Sequence, residues 1–214
     1  MSTKLREPVS GLIHLVSAAL ALFGLVVLVI VGRGDSLRVF SLMVYGISLV
    51  TLFTASAVYH LVRNPDADTS KLRKFDHAAI YVLIAGTYTP ICLNFFSGFL
   101  QWGFLAFIWA FALAGVLVKL FVIKAPRWVT AGIYLVMGWM ALLVIKPMLD
   151  TIPVGGLLWM LAGGLLYTLG AVIYITKKLD FYPGVFGFHE VWHVFVSLAA
   201  LCHFFMIYSY VALM

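Results

Sequence analysis

Charge is what this chain has least of. Asp, Glu, Lys and Arg together make up 10% of its 214 residues, where a soluble globular domain carries about 25%. That is too little polar surface to clothe a water-soluble fold, so a soluble enzyme is excluded. A disordered chain is excluded on the same ground, because disorder needs low hydrophobicity and high charge. Cysteine is nearly absent. Cys92 and Cys202 both sit inside apolar stretches with no CxxC spacing, which excludes a disulfide scaffold and marks both as inert, buried residues. Acidic residues are fewer than basic ones, 8 against 14, for a net charge of +6. The basic residues fall in short loops between apolar runs. Their excess therefore points to membrane orientation and anionic lipid headgroups, with no role for nucleic acid.

What the chain does have is apolar length. The hydrophobic residues make up 64% and the mean hydropathy is +1.09. A membrane-spanning helix takes about 20 residues, so this fraction suffices for about seven. Seven runs are visible, near 9–32, 37–62, 76–97, 100–121, 128–147, 154–176 and 188–212. They are long and lack polar alternation, so they read as helices and not as barrel strands. The expected fold is an all-α integral membrane protein, a seven-transmembrane helix bundle forming a single domain over 1–214. The first run resembles a signal peptide, with Lys4 and Arg6 before it and small residues Ser17 to Ala19 within it. It stays apolar through Val31, longer than a signal core, and is read as a retained helix. The sixth run carries Gly155, Gly156, Gly163, Gly164 and Gly170, which suits close helix–helix packing.

Direction follows from counting Lys and Arg in alternate segments. Eleven fall on the side of the N-terminal tail, including Lys4, Arg63, Arg73, Lys119, Lys124 and Arg127. Three, Arg33, Arg38 and Lys146, fall on the other. The positive-inside rule places the N-terminus in the cytoplasm and, with seven spans, the C-terminus outside.

Ionisable side chains within such helices are costly and default to a functional hypothesis. His60 ends the second run, Asp76 and His77 open the third, and His189 and His193 open the seventh. Topology brings all of them to the cytoplasmic face. His189 and His193 are four residues apart, so they share one helix face, about 6 Å apart along the axis. Ser56 and His60 have the same spacing. Three neutral histidines and a water describe an open, catalytic zinc site, which supplies an activated water for attack on a carbonyl. Asp76 would hold that water or orient a ligand. It could equally cap the third helix, and both roles can coexist. His77 belongs to packing or to the surroundings of the site. Glu7 and His14 lie at the inner end of the first run and could line the same cavity. His203 lies ten residues past His193, about 15 Å deeper, too far to share a metal. The segment from His189 to His193 also fits H-E-x-x-H, in which Glu190 would be the general base of a metalloprotease. Asp76 would then be a third ligand and His60 would be left unexplained. Pro90 is expected to bend the third helix, and Trp102, Trp128 and Trp159 to mark the interfaces.

Several of these elements together resemble a known family. They are Ser56-x-x-x-His60, the run KFDHAAIYVLIAGTYTP from Lys74 to Pro90, YLVMGW from Tyr134 to Trp139, HEVWHVF from His189, and CHFF from Cys202. The chain resembles the hemolysin III group of the progestin and adipoQ receptor family over nearly its whole length. The resemblance implies a seven-helix bundle with the N-terminus inside. It also implies zinc on His60, His189 and His193, with Ser56 and Asp76 as partners. Adiponectin receptors, distant members, look like zinc-dependent amide hydrolases acting on ceramide, and some bacterial members are linked to membrane lipid homeostasis. The chain lacks those receptors' long N-terminal region and any stretch resembling a hormone-binding ectodomain, so hydrolase chemistry is the better carry-over. The expectation is a zinc-dependent intramembrane hydrolase of lipid amides or esters in the bacterial inner membrane, with a membrane lipid as its substrate. Two rivals stay open. One is a cytolytic, channel-like or sensor protein with structural zinc, although no ring of like charges or filter-like loop is present. The other is the H-E-x-x-H protease.

Overall fold

A computed structural model describes residues 6–62, 69–121, 125–182 and 184–214. Lys4, Arg63 and Lys124, three of the cations used to orient the chain, lie outside them. The described residues are helical, with seven helices long and apolar enough to cross a membrane. No β-strand occurs among them, only an isolated bridge between Tyr182 and Phe186. The all-α, seven-span expectation holds.

The helices are α1 (Pro8–Val31), α2 (Ser36–Leu61), α3 (Thr69–Phe95), α4 (Leu100–Phe121), α5 (Arg127–Thr151), α6 (Val154–Thr176) and α7 (Phe188–Ala212). Their starts have local causes. Pro8 opens α1, and Pro126 and Pro153 stand just ahead of α5 and α6, where the missing N–H of proline costs nothing. Asp35 caps α2 by accepting a 2.9 Å bond from the Arg38 N–H. The largest departure from the hydropathy reading is at α3. It begins at Thr69, about two turns before the apolar run, because Lys71, Arg73 and Lys74 form a charged opening that hydropathy scores as loop. Asp76 is therefore well inside the helix and is not its cap, which closes one of the two roles left open for it.

Sequential helices pack as antiparallel neighbours: α1 on α2, α2 on α3, α3 on α4, α5 on α6 and α6 on α7, with α7 returning to α1. The centre belongs to α2 and α3, the most buried spans. The α6–α7 seam is close because of glycine. A Cβ on Gly163 would lie 2.4 Å from the His203 ring, and one on Gly170 would lie 2.7 Å from Phe195. This supports the packing role read from the glycine-rich run. Trp102 and Trp128 are exposed and Trp159 is just over a third exposed, as interfacial residues should be.

One span, α5, is interrupted, and α3 stays helical across an internal proline. Pro90 sits within α3 and removes one donor from its ladder. The α5 helix tightens into a 3-10 segment at Met140–Val144. A break in a spanning helix frees backbone groups that lipid cannot satisfy. Tyr88 answers this from α3. Its hydroxyl accepts from the Ala141 N–H at 2.8 Å and donates to the Gly138 carbonyl at 2.7 Å. The break and its staple lie on the wall of a large cavity between α3, α5, α6 and α7.

Candidate metal centre

The up-and-down topology delivers the start of α1, the end of α2, and the starts of α3 and α7 to one end of the bundle. Side chains from all four helices meet there. One ring nitrogen from each of His60, His189 and His193 lies within 4.8 Å of the other two. The Nε2 atoms of His189 and His193 are 3.2 Å apart. A tetrahedral ion with bonds of about 2.0–2.1 Å needs ligand nitrogens about 3.3–3.4 Å apart, so the α7 pair already has that spacing. A His60 ring nitrogen lies within 4.8 Å of both and offers the third ligand. The donor set suits a borderline ion such as zinc, and the outward ring nitrogens of His60 and His193 have partners that support it.

His60 is 2% exposed, and its Nδ1 is 2.5 Å from the Glu7 carboxylate. That contact leaves His60 Nε2 as the free atom. A carboxylate on the far nitrogen fixes the tautomer and raises ligand basicity. The same bond holds the Glu7 carboxyl below its ordinary value, against the opposing push of burial. The Glu7 backbone N–H also donates to the His60 carbonyl at 3.0 Å, so the opening of α1 is pinned to the end of α2. Arg6 stands 3.6 Å from Glu7 and donates to the Tyr59 hydroxyl at 3.1 Å. On the α7 side, His193 is 3% exposed and its Nδ1 is 3.0 Å from the Nε2 of buried His14. His14 packs against the His193 ring, with both its nitrogens within 3.1 Å of that Nδ1, and so backs it from α1 as Glu7 backs His60, without a carboxylate's charge. Sequence reasoning placed both residues near the site and missed these contacts. The available signal was that both lie on the opening turns of the helix starting at that end.

Ser56 is buried one turn before His60, Asp76 is buried on α3, and all three line the same cavity. The structure therefore gathers all five predicted site residues. It does not bring in two others. His77 turns toward α5, where its Nδ1 is 3.3 Å from the Tyr134 hydroxyl and its carbonyl accepts from that hydroxyl at 3.0 Å. His203 lines the deeper cavity, with Nε2 3.4 Å from the Met160 carbonyl. Glu190 is committed elsewhere. One oxygen accepts from Ser10 at 2.8 Å and the other from the Gly187 N–H at 2.8 Å, where it caps α7.

The histidines stand at the head of a cavity of about 1070 Å³, above the usual range for small-molecule pockets of about 300–1,000 Å³. Beyond them its walls are apolar, with Leu83, Ile84, Leu142, Met160, Leu161 and Met206 among them. A polar, ligand-rich end on a greasy shaft can hold a metal and receive an amphiphile.

Fold and centre together define a multi-pass membrane protein with a histidine cluster at one end of a lipid-sized cavity. The profile of the family described as "Haemolysin-III related" matches residues 2–204, and the chain belongs to that family. It is similar to "Hemolysin-3" of Bacillus cereus, 34% identical over 96% of this chain and 91% of that protein. It is similar to the "Hemolysin-3 homolog" of Bacillus subtilis (strain 168), 32% identical over 98% of this chain and 96% of that protein. The human "Monocyte to macrophage differentiation factor" is 32% identical over 78% of this chain and 68% of its own length. The resemblance read from the motifs is borne out.

Proposed function

We propose that this protein is a zinc-dependent intramembrane hydrolase of lipid amides or esters, acting in lipid homeostasis as one seven-helix domain. It lies in the bacterial inner membrane with its N-terminus in the cytoplasm. The observation that carries this reading is the meeting of His60, His189 and His193 at the head of a lipid-sized apolar cavity. A zinc ion held by these three supplies Lewis acidity to an ester or amide carbonyl and acidifies water. The chain's own residues do the rest. Glu7 and His14 hold the His60 and His193 rings in place. Asp76 accepts the proton of the attacking water and returns it to the amine or alkoxide that departs as the C–N or C–O bond breaks, and Ser56 steadies its carboxylate. The apolar walls align the acyl chain and exclude bulk water, so the carbonyl is presented at the polar end.

The test is metal content and lipid turnover on the purified protein. We expect about one zinc per chain, lost in His60→Ala and His193→Ala, and release of fatty acid from some member of an amide and ester lipid panel. Asp76→Asn should keep the metal and lose turnover. Protein without zinc, even after incubation with the ion, overturns the reading.

The printed names of the bacterial relatives favour a second reading, a cytolytic membrane protein. Vesicle leakage that persists in His189→Ala and His193→Ala would support it. The protease reading is weakened by Glu190, both of whose oxygens are occupied by Ser10 and the helix cap.

A further inference from the structure

Among the described residues five cations line the end of the cavity that holds the histidines. Arg6 is engaged with Glu7 and Tyr59 and Lys74 with the Leu120 carbonyl, which leaves Arg73 of α3, Lys119 of α4 and Arg127 of α5. Topology alone asks only that Lys and Arg collect at one end of the bundle. It does not ask that they line the cavity, as all three do, or that they be held in place, as Lys119 and Arg127 are; Arg73 stands exposed at the rim. The partly buried Lys119 donates to Thr130 Oγ1 at 2.8 Å, and Thr130 is itself a buried wall residue. The Arg127 guanidinium lies 5.3 Å from the ring centres of both Tyr174 on α6 and Phe188 on α7. Phe188 immediately precedes the ligand His189. Ordering a long side chain costs rotamer entropy, and two aromatic faces offset that cost only by fixing where the charge sits. Arg73 lines the same cavity as Lys119 and Arg127.

Nothing described on the cavity wall answers this charge. Four carboxylates line the cavity: Glu7, Asp76, Asp180 and Glu190. Glu7 is engaged with Arg6 and His60, and Glu190 with Ser10 and the Gly187 N–H. Among the described residues every ion pair involves Glu7, so neither Asp76 nor Asp180 pairs with these cations. Three like charges converging on one void are mutually unfavourable, and an anion in that void relieves them. Phosphate fits best: its oxygens match the fork of a guanidinium and accept from an ammonium beside it. The shaft beneath is apolar and lipid-sized, which favours a phosphate carried by a lipid.

We propose that Arg73, Lys119 and Arg127 form a phosphate subsite at the cavity mouth, and that the lipid taken by this protein carries a net-negative phosphate headgroup. This rests on the reading of the cavity as a lipid site. It also separates the substrate from the neutral, ceramide-like lipids suggested by the family's distant members.

The test uses purified full-length protein in neutral detergent micelles. Binding of fluorescent phosphatidylglycerol is compared with that of phosphatidylcholine bearing the same label. Wild type should prefer phosphatidylglycerol by about ten-fold or more. Each cation removed, in Arg127→Gln, Arg73→Gln and Lys119→Gln, should cut that preference about five-fold, the contribution of one basic residue near an anionic headgroup. Arg127→Lys should retain most of it. Lys146→Gln, at the opposite end of α5, should not change it. Should a variant fail to fold, the wild-type preference must still fall as salt is raised. Equal binding of the two lipids, a preference that survives all three substitutions, or one indifferent to salt overturns the proposal. Displacement of the lipid by inorganic phosphate alone assigns the subsite to free phosphate and overturns the headgroup claim. His60→Ala should keep the preference while losing zinc, so failure of the hydrolase reading and failure of this one remain distinguishable.

Discussion

Glu7 offers the sharpest test of the proposed centre, because its carboxylate bears directly on His60, one of the three proposed ligands. Its carboxylate accepts a 2.5 Å hydrogen bond from His60 Nδ1–H, while its backbone N–H independently donates to the His60 carbonyl. Glu7→Gln preserves shape and backbone and removes only the charge. A hydrogen bond to a charged partner is worth about 1.5–3 kcal/mol and a neutral one about 0.5–1.5 kcal/mol. The Glu7 side chain is 35% exposed, so solvent screening favours the lower half of the difference, about 1 kcal/mol. That is about a five-fold rise in the zinc dissociation constant. Glu7→Ala removes the acceptor altogether and lets the His60 ring turn. Loss of such an outer partner costs about 10–100-fold in metal affinity, and about 30-fold is expected here because the backbone tether remains. The assay is competition for zinc against a chromophoric chelator in detergent. The reasoning is refuted if both variants bind zinc as tightly as wild type, or if Gln is as damaging as Ala.

Glu190→Gln should leave zinc affinity and turnover nearly unchanged and lower thermal stability by about 1 kcal/mol, the worth of a helix cap; loss of turnover with intact folding would restore the protease reading. Gly170→Ala should destabilise by about 1–3 kcal/mol, since its Cβ would press on Phe195 and Trp192 in a packed seam. Gly132→Ala, with nothing within 4 Å, should be neutral or slightly stabilising in the same thermal unfolding assay. Tyr88→Phe should cost about 1–3 kcal/mol, because the Ala141 N–H and Gly138 carbonyl at the break in α5 lose their shared partner; unchanged unfolding would show that water reaches those groups.

Most of the fold was readable along the chain, because lipid imposes a constraint that is local in sequence. Every spanning segment must be apolar over its whole length and must satisfy its own backbone, so α1, α2, α4 and α6 announced themselves. The start of α3 did not. Lys71, Arg73 and Lys74 extend it into the polar zone, and hydropathy cannot distinguish a charged helical turn from a loop. The site residues were readable for a related reason. His60, Asp76, His189 and His193 interrupt apolar runs, and alternation of direction puts their positions at one end.

The residues that hold the centre were harder to see. Glu7 on His60, His14 on His193, Ser10 on Glu190 and Tyr88 on the α5 break are all pairings between different helices. Each depends on how two helices are rotated about their axes and how closely they approach, and no period or spacing within either run encodes that. Scarcity of charge thus told in advance that this is a seven-span membrane protein and which few polar residues matter. Whether those residues touch, what stands against the His60 and His193 rings, and which cations line the cavity were settled by packing, because a contact is a property of two surfaces.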